Sequence, residues 1–273
     1  MKPYIDTTEL QAGDILLMRG RSSLSDLIAW FGDSVYSHAA VMCSDTHFVE
    51  AAMPRSRMVA LDERLRQTDA YHFIEVFRPT ADDGNPLDEV QRERLARAAS
   101  QQVGVDYPVD MLVQLAAVAV VRDRIPEDGC LRWLLRELVD HLICFDPEHM
   151  VCSELVYQAM RQAELAPTIV VAARLDQPFP DVDVRELVRE WLEARGAGSM
   201  GQGQALMPEP VNEEELVGAY HRLRQERRFV AGGFSPHPVP DPNPATILPV
   251  DLSTSPQVRR LGRLRLLAEG MNG

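Results

Sequence analysis

Short apolar runs fill the N-terminal part of the chain, and from Pro86 onward apolar residues recur at helical spacing. That succession, with turn residues between neighbouring runs, predicts an α+β fold in which helices pack on an antiparallel sheet. A chain of 273 residues that is 45% hydrophobic and 25% charged is long and apolar enough to bury such a core without staples.

The elements follow in order. Residues 13–18 form an apolar run after a Gly-Asp turn, as a buried strand would. Ser22, Ser23 and Ser25 then offer helix caps, and Leu24, Leu27, Ile28 and Phe31 share one face of a short helix that stops at Gly32. Runs at 38–43, 47–52, 58–61 and 71–77 read as a meander, with Ser44, Asp45 and Thr46 as the turn between the first two. Val90, Leu95 and Ala98 mark a helix over 87–102, and the segments 109–121 and 130–144 read as two more. A further helix is expected from Cys152 to about residue 163, with others at 182–195 and 212–228 joined by a Gly-rich stretch. Six prolines between 235 and 249 predict an extended surface segment. In the tail, Val258, Leu261, Leu264 and Leu267 stand at helical spacing.

Composition narrows the partners. A formal net charge of −13 argues against nucleic acid and against an anionic membrane surface. The four cysteines, Cys43, Cys130, Cys144 and Cys152, have no tandem spacing and read as free thiols of a reducing compartment. The N-terminus lacks an apolar core flanked by basic residues, and the longest apolar run, 111–121, is too short to span a bilayer. The expected location is the cytoplasm, with non-classical export left open, and the sequence leaves the oligomeric state undetermined.

The chemistry-bearing set is scattered: His38 opens a strand, Glu50 lies in the next, and Cys152 opens a helix. Thiol catalysis needs a thiolate, a nearby imidazole and a polar group that orients the ring. A helix N-terminus favours the thiolate through its dipole and free N–H groups. Glu50 stands in an apolar strand, where a carboxylate requires a partner. A hairpin turn near residue 45 places His38 opposite 51 or 52, so the two side chains share a face only in one register. The plain alternative is that Cys152 is a small buried hydrophobe and His38 a structural strand residue.

The ordered segments 13–17, 37–41, 48–51 and 152–156 resemble the circularly permuted branch of the NlpC-type papain-like cysteine hydrolases, the YiiX-type amidases. Residues 104–110 are similar to that family's Gly…Tyr-Asp segment, and 247–256 to its late Pro-x-Asp-Leu…Ser-Pro segment. The resemblance implies a permuted papain-like core built from 1–164 and 246–273, with 165–245 as a helical and Pro/Gly-rich insertion. It implies Cys152 as nucleophile, His38 as general base and then acid, and Glu50 as the ring-orienting residue, with no cofactor and no metal. The implied substrate is a small amide, a peptide or a cell-wall-type compound. Val151 is apolar where the family often has a polar residue, so the oxyanion donor falls to backbone N–H groups or to a side chain such as Tyr36. Ser37, Val151 and Tyr107 complete the candidate substrate-binding and oxyanion set.

Rival readings remain. Cys144, His149 and Cys152, with His141 upstream, could be read as zinc ligands, although their spacing fits no paired-Cys site. A lipid acyl hydrolase or acyltransferase of the lecithin-retinol-acyltransferase-like type shares the His-before-Cys order but has a typical Asn-Cys-Glu context that is absent here. A non-catalytic structural or binding protein is the third. Gly196, Gly198 and Gly201 match a dinucleotide fingerprint in letters only, because a helix and not a strand precedes them. The acidic run 213–215 with its neighbouring arginines reads as a solvated helix, and Trp133 and Trp191 as helix anchors.

Overall fold

The computed structural model describes residues 3–22, 25, 26, 28, 29, 34–107, 150–171, 237, 238, 242, 244 and 247–267. Strands β1 (Ile15–Gly20), β2 (His38–Met42), β3 (His47–Glu50), β4 (Arg57–Ala60) and β5 (Tyr71–Pro79) are followed, after two two-residue strands, by β8 (Val258–Leu264). These six build one sheet in the order β4-β3-β2-β1-β5-β8, every neighbouring pair antiparallel. The short strands β6 (Val170–Val171) and β7 (His237–Pro238) pair antiparallel with each other. Helices are α1 (Leu61–Leu65), α2 (Glu89–Ser100), α3 (Cys152–Gln162) and α4 (Pro249–Thr254). The expected α+β fold, helices on an antiparallel sheet, is what forms.

Period-2 alternation sends the central strands' apolar side chains to both faces. Ile15, Leu17, Ala39, Val41 and Val49 pack with Leu95 of α2 and Leu155, Val156 and Met160 of α3. Leu16, Met18, Ala40, Met42 and Phe48 pack on the other face with Leu61 and Leu65 of α1. A sheet covered on both sides reads as unbroken apolar runs, which is why 13–18 and 38–43 stand out in the sequence. Truncating an enclosed residue such as Leu155, 0% exposed, to Ala would cost about 2–5 kcal/mol. Local signals agree with these elements. Gly13, at φ 88°, makes the turn into β1 that a residue with a Cβ would resist. Asp88 accepts from the Gln91 N–H at 2.8 Å while the Gln91 side chain accepts from the Asp88 N–H at 2.9 Å, a reciprocal cap that starts α2.

Three expectations are corrected. The run 58–61 is not one strand: Leu61 opens α1, a helix too short to display its own periodicity. The tail is a strand. Its threefold spacing arises because Phe77 pairs with Arg260 and Val76 with Gly262, leaving Leu261 as an extra residue. That bulge lets Val258 and Leu264 enter opposite cores. The proline-rich segment does not run extended to its end, since Pro249 is the first residue of α4, where a missing N–H costs nothing.

Ser25, Asp26, Ile28 and Ala29 are helical, while Leu24, Leu27 and Phe31 lie outside the described residues. So do the helices expected at 109–121, 130–144, 182–195 and 212–228, the Gly-rich stretch, Cys130, His141, Cys144, His149, Trp133 and Trp191. Most of 165–245 is likewise outside them. Among the described residues no helix is long and apolar enough to cross a membrane.

Candidate active site

The register of β2 and β3 pairs Ala40 with Glu50, so His38, two residues before Ala40, lies on the same face as Glu50. The expectation that placed His38 opposite 51 or 52 thus resolves to the register in which the two side chains meet. His38 Nε2 stands 2.8 Å from Glu50 Oε2. Glu50 is fully enclosed. Its other oxygen, Oε1, accepts from Arg57 Nε at 3.0 Å and from Arg64 Nη2 at 2.6 Å. Burial alone would raise the Glu50 pKa, but the His38 hydrogen bond and the charges of His38, Arg64 and Arg57 overcome it and hold it at about 2.

Cys152 is the first residue of α3, which packs against β2 from the opposite side. Because His38 is the opening residue of its strand, thiol and imidazole meet at the end of the sheet. Burial raises the thiol and lowers the imidazole. Their mutual charge and hydrogen bond reverse both trends: Cys152 titrates below its ordinary value and His38 well above its own. Backbone N–H groups of Ala39 and Ser153 also favour the sulfur anion. With Nε2 engaged by Glu50, Nδ1 is the ring nitrogen left for the sulfur. The arrangement favours a thiolate–imidazolium pair backed by a carboxylate.

A cavity of about 430 Å³ opens onto this group, lined by Cys152, His38, Glu50, Tyr107, Arg57 and Tyr71 among others. Tyr107 is positioned by its N–H, which donates to the Pro54 carbonyl at 2.9 Å. Burial and the charge of Cys152 push its hydroxyl up, so it stays protonated and able to donate. Of the remaining candidates, three have polar groups engaged by other partners. The Tyr36 hydroxyl donates to Glu75 Oε2 at 2.7 Å, because the Tyr36 ring packs edge-on against Phe73 and Phe77 of β5. Ser37 lines the cavity, but its Oγ accepts from the Gly20 N–H at 2.9 Å and so ties β2 to β1. The Val151 N–H donates to Glu154 Oε2 at 3.4 Å, as a helix-capping contact. Of these three, Ser37 borders the cavity.

Arg57 and Arg64 were not singled out in the sequence. Arg64 shares the buried face of α1 with Leu61 and Leu65, but that helix is too short to show its own periodicity, so the sequence carries no signal for it. Arg57 stands directly opposite Glu50 in the β3–β4 pairing, which only the register discloses. Cys43, the other described free thiol, is half-buried near Ser100, and burial pushes it up rather than down. Among the described residues no group of three or more His, Cys, Asp or Glu side chains is arranged to hold a metal ion.

No protein-family profile matches the chain, and no curated protein matches it. Among solved structures it is similar to a crystal structure described as the metalloprotein yiiX from Escherichia coli O157:H7, at 15% sequence identity and a TM-score of 0.47, over 93% of this chain and 97% of that one.

Proposed function

We propose that the chain is a cysteine hydrolase with a permuted papain-like core that cleaves an amide or peptide bond through a thioester acyl-enzyme. The observation that carries this reading is a thiol at a helix start coupled to an imidazole whose far nitrogen meets a buried, ionised carboxylate. The order His38, Glu50, Cys152 along the chain agrees with the permuted arrangement.

In the first half-reaction the Cys152 thiolate attacks the substrate carbonyl carbon, forming a C–S bond and a tetrahedral oxyanion. The backbone N–H of Cys152 and the Tyr107 hydroxyl are the proposed oxyanion donors. Collapse breaks the C–N bond, and the His38 imidazolium gives its proton to the departing amine. Water then enters, loses a proton to the neutral imidazole and attacks the thioester. The acid leaves and the thiolate returns. Glu50 keeps its negative charge throughout, holding the ring and stabilising the imidazolium, as a triad carboxylate does.

The test is incubation with a panel of amino-acid amides, peptide anilides and lipid esters, read by intact-protein mass and by released product. The expected result is amine release with a hydroxylamine-sensitive acyl adduct on Cys152, both lost in Cys152→Ala. Turnover that survives Cys152→Ala, or fatty acid as the only product, contradicts the proposal.

A further inference from the structure

We infer that Arg64 is the positioning residue of this constellation: it takes Oε1 of Glu50 from beneath the sheet and thereby aims Oε2 at His38. The inference rests on the hydrolase reading above and deepens it. Arg64 is 2% exposed and projects from α1, a helix whose other buried residues are leucines. A leucine at this position would complete that apolar face without any desolvation cost, whereas a buried guanidinium must be compensated. The compensation is specific. Nη2 meets Glu50 Oε1 at 2.6 Å, Nη1 donates to the Tyr71 hydroxyl, and the guanidinium carbon lies 5.4 Å from the Phe48 ring centroid and 4.8 Å from that of Tyr71. Two rings and a hydroxyl therefore fix the direction of the fork.

Among the described residues its Nε is buried without a hydrogen-bond partner. The side chain is thus committed through its two terminal nitrogens, one to Glu50 Oε1 and one to the Tyr71 hydroxyl. Arg57 bonds the same oxygen at 3.0 Å, but its side chain is 55% exposed, so solvent screens it and it holds Glu50 less firmly than Arg64 does. The charged and titratable groups around the relay are His38 on β2, Arg57 on β4 and Arg64 on α1, all facing Glu50. Cys152 on α3 faces His38, Tyr107 adjoins Cys152, and Tyr71 on β5 faces Arg64.

The consequence concerns one proton shared between sulfur and imidazole. With Oε2 on Nε2, the proton stays on the ring and the sulfur is a thiolate. If Glu50 turns so that both oxygens face Arg57, the imidazolium loses its partner and the proton returns to the sulfur.

The experiment measures iodoacetamide alkylation of Cys152 by peptide mass spectrometry in wild type, Arg64→Met and Arg64→Lys, with folding checked by thermal melts. The readout is the ratio of the rate at pH 6, where only a stabilised thiolate reacts, to the rate at pH 9.5, where an ordinary thiol also ionises. The ratio should fall about tenfold in Arg64→Met, equivalent to about one pKa unit of lost imidazolium stabilisation, and by about threefold in Arg64→Lys, which keeps the charge but not the fork. A role in packing alone would alter both rates together and leave the ratio in place. An unchanged ratio in either folded variant overturns the inference, and Arg64→Lys decides if Arg64→Met does not fold. Failure of wild-type Cys152 to label preferentially at pH 6 would instead overturn the hydrolase reading itself.

Discussion

Two strand glutamates, Glu50 on β3 and Glu75 on β5, are built almost alike. Each is buried in the sheet, each is held by two arginines and one further side chain, and each sits at a pKa of about 2. Burial acts to raise both, and hydrogen bonds with neighbouring positive charge reverse it. They differ in the third partner and in what lies behind it. For Glu75 it is the Tyr36 hydroxyl, with Arg260 and Arg263 of the adjacent β8 closing the group. For Glu50 it is His38, a ring that can carry a proton and that has a thiol on its far side and a cavity in front. A buried carboxylate with two arginines is thus a structural device until its third partner can take up a proton and become a cation. The same electrostatics that fastens β8 to β5 becomes, at Glu50, a means of keeping an imidazole charged.

The comparison breaks most sharply under matched substitution. Glu50→Gln should lower amide turnover by about 10³-fold or more, as removal of the orienting acid of a triad does, while Glu75→Gln should leave turnover within about threefold of wild type. Equal losses in the two variants would erase the distinction. The stability order is less lopsided, because both variants strand arginines: calorimetry of Glu75→Gln should show a loss of about 2 kcal/mol, moderated by the partial exposure of Arg260 and Arg263.

Acid pH sharpens the same contrast. The Glu50 carboxyl is depressed from 4.5 to about 2 on folding, so its stabilising share is complete above the ordinary value and is lost as pH falls through the range between them. That share is about 3 kcal/mol for enclosed Glu50, and smaller for Glu75, whose arginines are partly in water. Denaturant melts of wild type should weaken steeply between these pH values, and Glu50→Gln should flatten the slope more than Glu75→Gln does. The smallest effect belongs to Tyr36→Phe. It should cost about 1 kcal/mol of stability from one hydrogen bond and leave Cys152 alkylation unchanged at every pH. Reduced amide turnover at unchanged alkylation would return Tyr36 to the candidate oxyanion set.

Much of this was legible in the sequence, and the illegible parts have physical causes. The strands were visible because a sheet covered on both faces writes continuous apolar runs, and the helix expected from Cys152 is the one that forms, with the thiol at its start. Register was not visible, and everything that distinguishes the two glutamates depends on it: Ala40 opposite Glu50, Arg57 opposite Glu50, Arg263 opposite Glu75. Tyr36 looked available because its commitment to Glu75 is made across 39 residues of chain. The tail misled because a single bulge residue, Leu261, turns a strand's alternation into a threefold spacing. Arg64 was not readable, because α1 is too short to show a helical period and its buried face is disclosed only by the structure.

The central claim is that His38 keeps Cys152 ionised and that Glu50 keeps His38 charged. Its most direct measurement is limited iodoacetamide labelling at pH 6 of wild type, His38→Ala and Glu50→Gln, resolved by peptide mass spectrometry over all four cysteines. An ordinary thiol is under about 1% ionised at that pH, so wild-type Cys152 should label far ahead of Cys43, whose thiol burial pushes up, and ahead of Cys130 and Cys144. The preference should collapse in His38→Ala and fall substantially in Glu50→Gln. Slow and equal labelling of all four thiols, unchanged by either substitution, would contradict the account and leave Cys152 a structural residue.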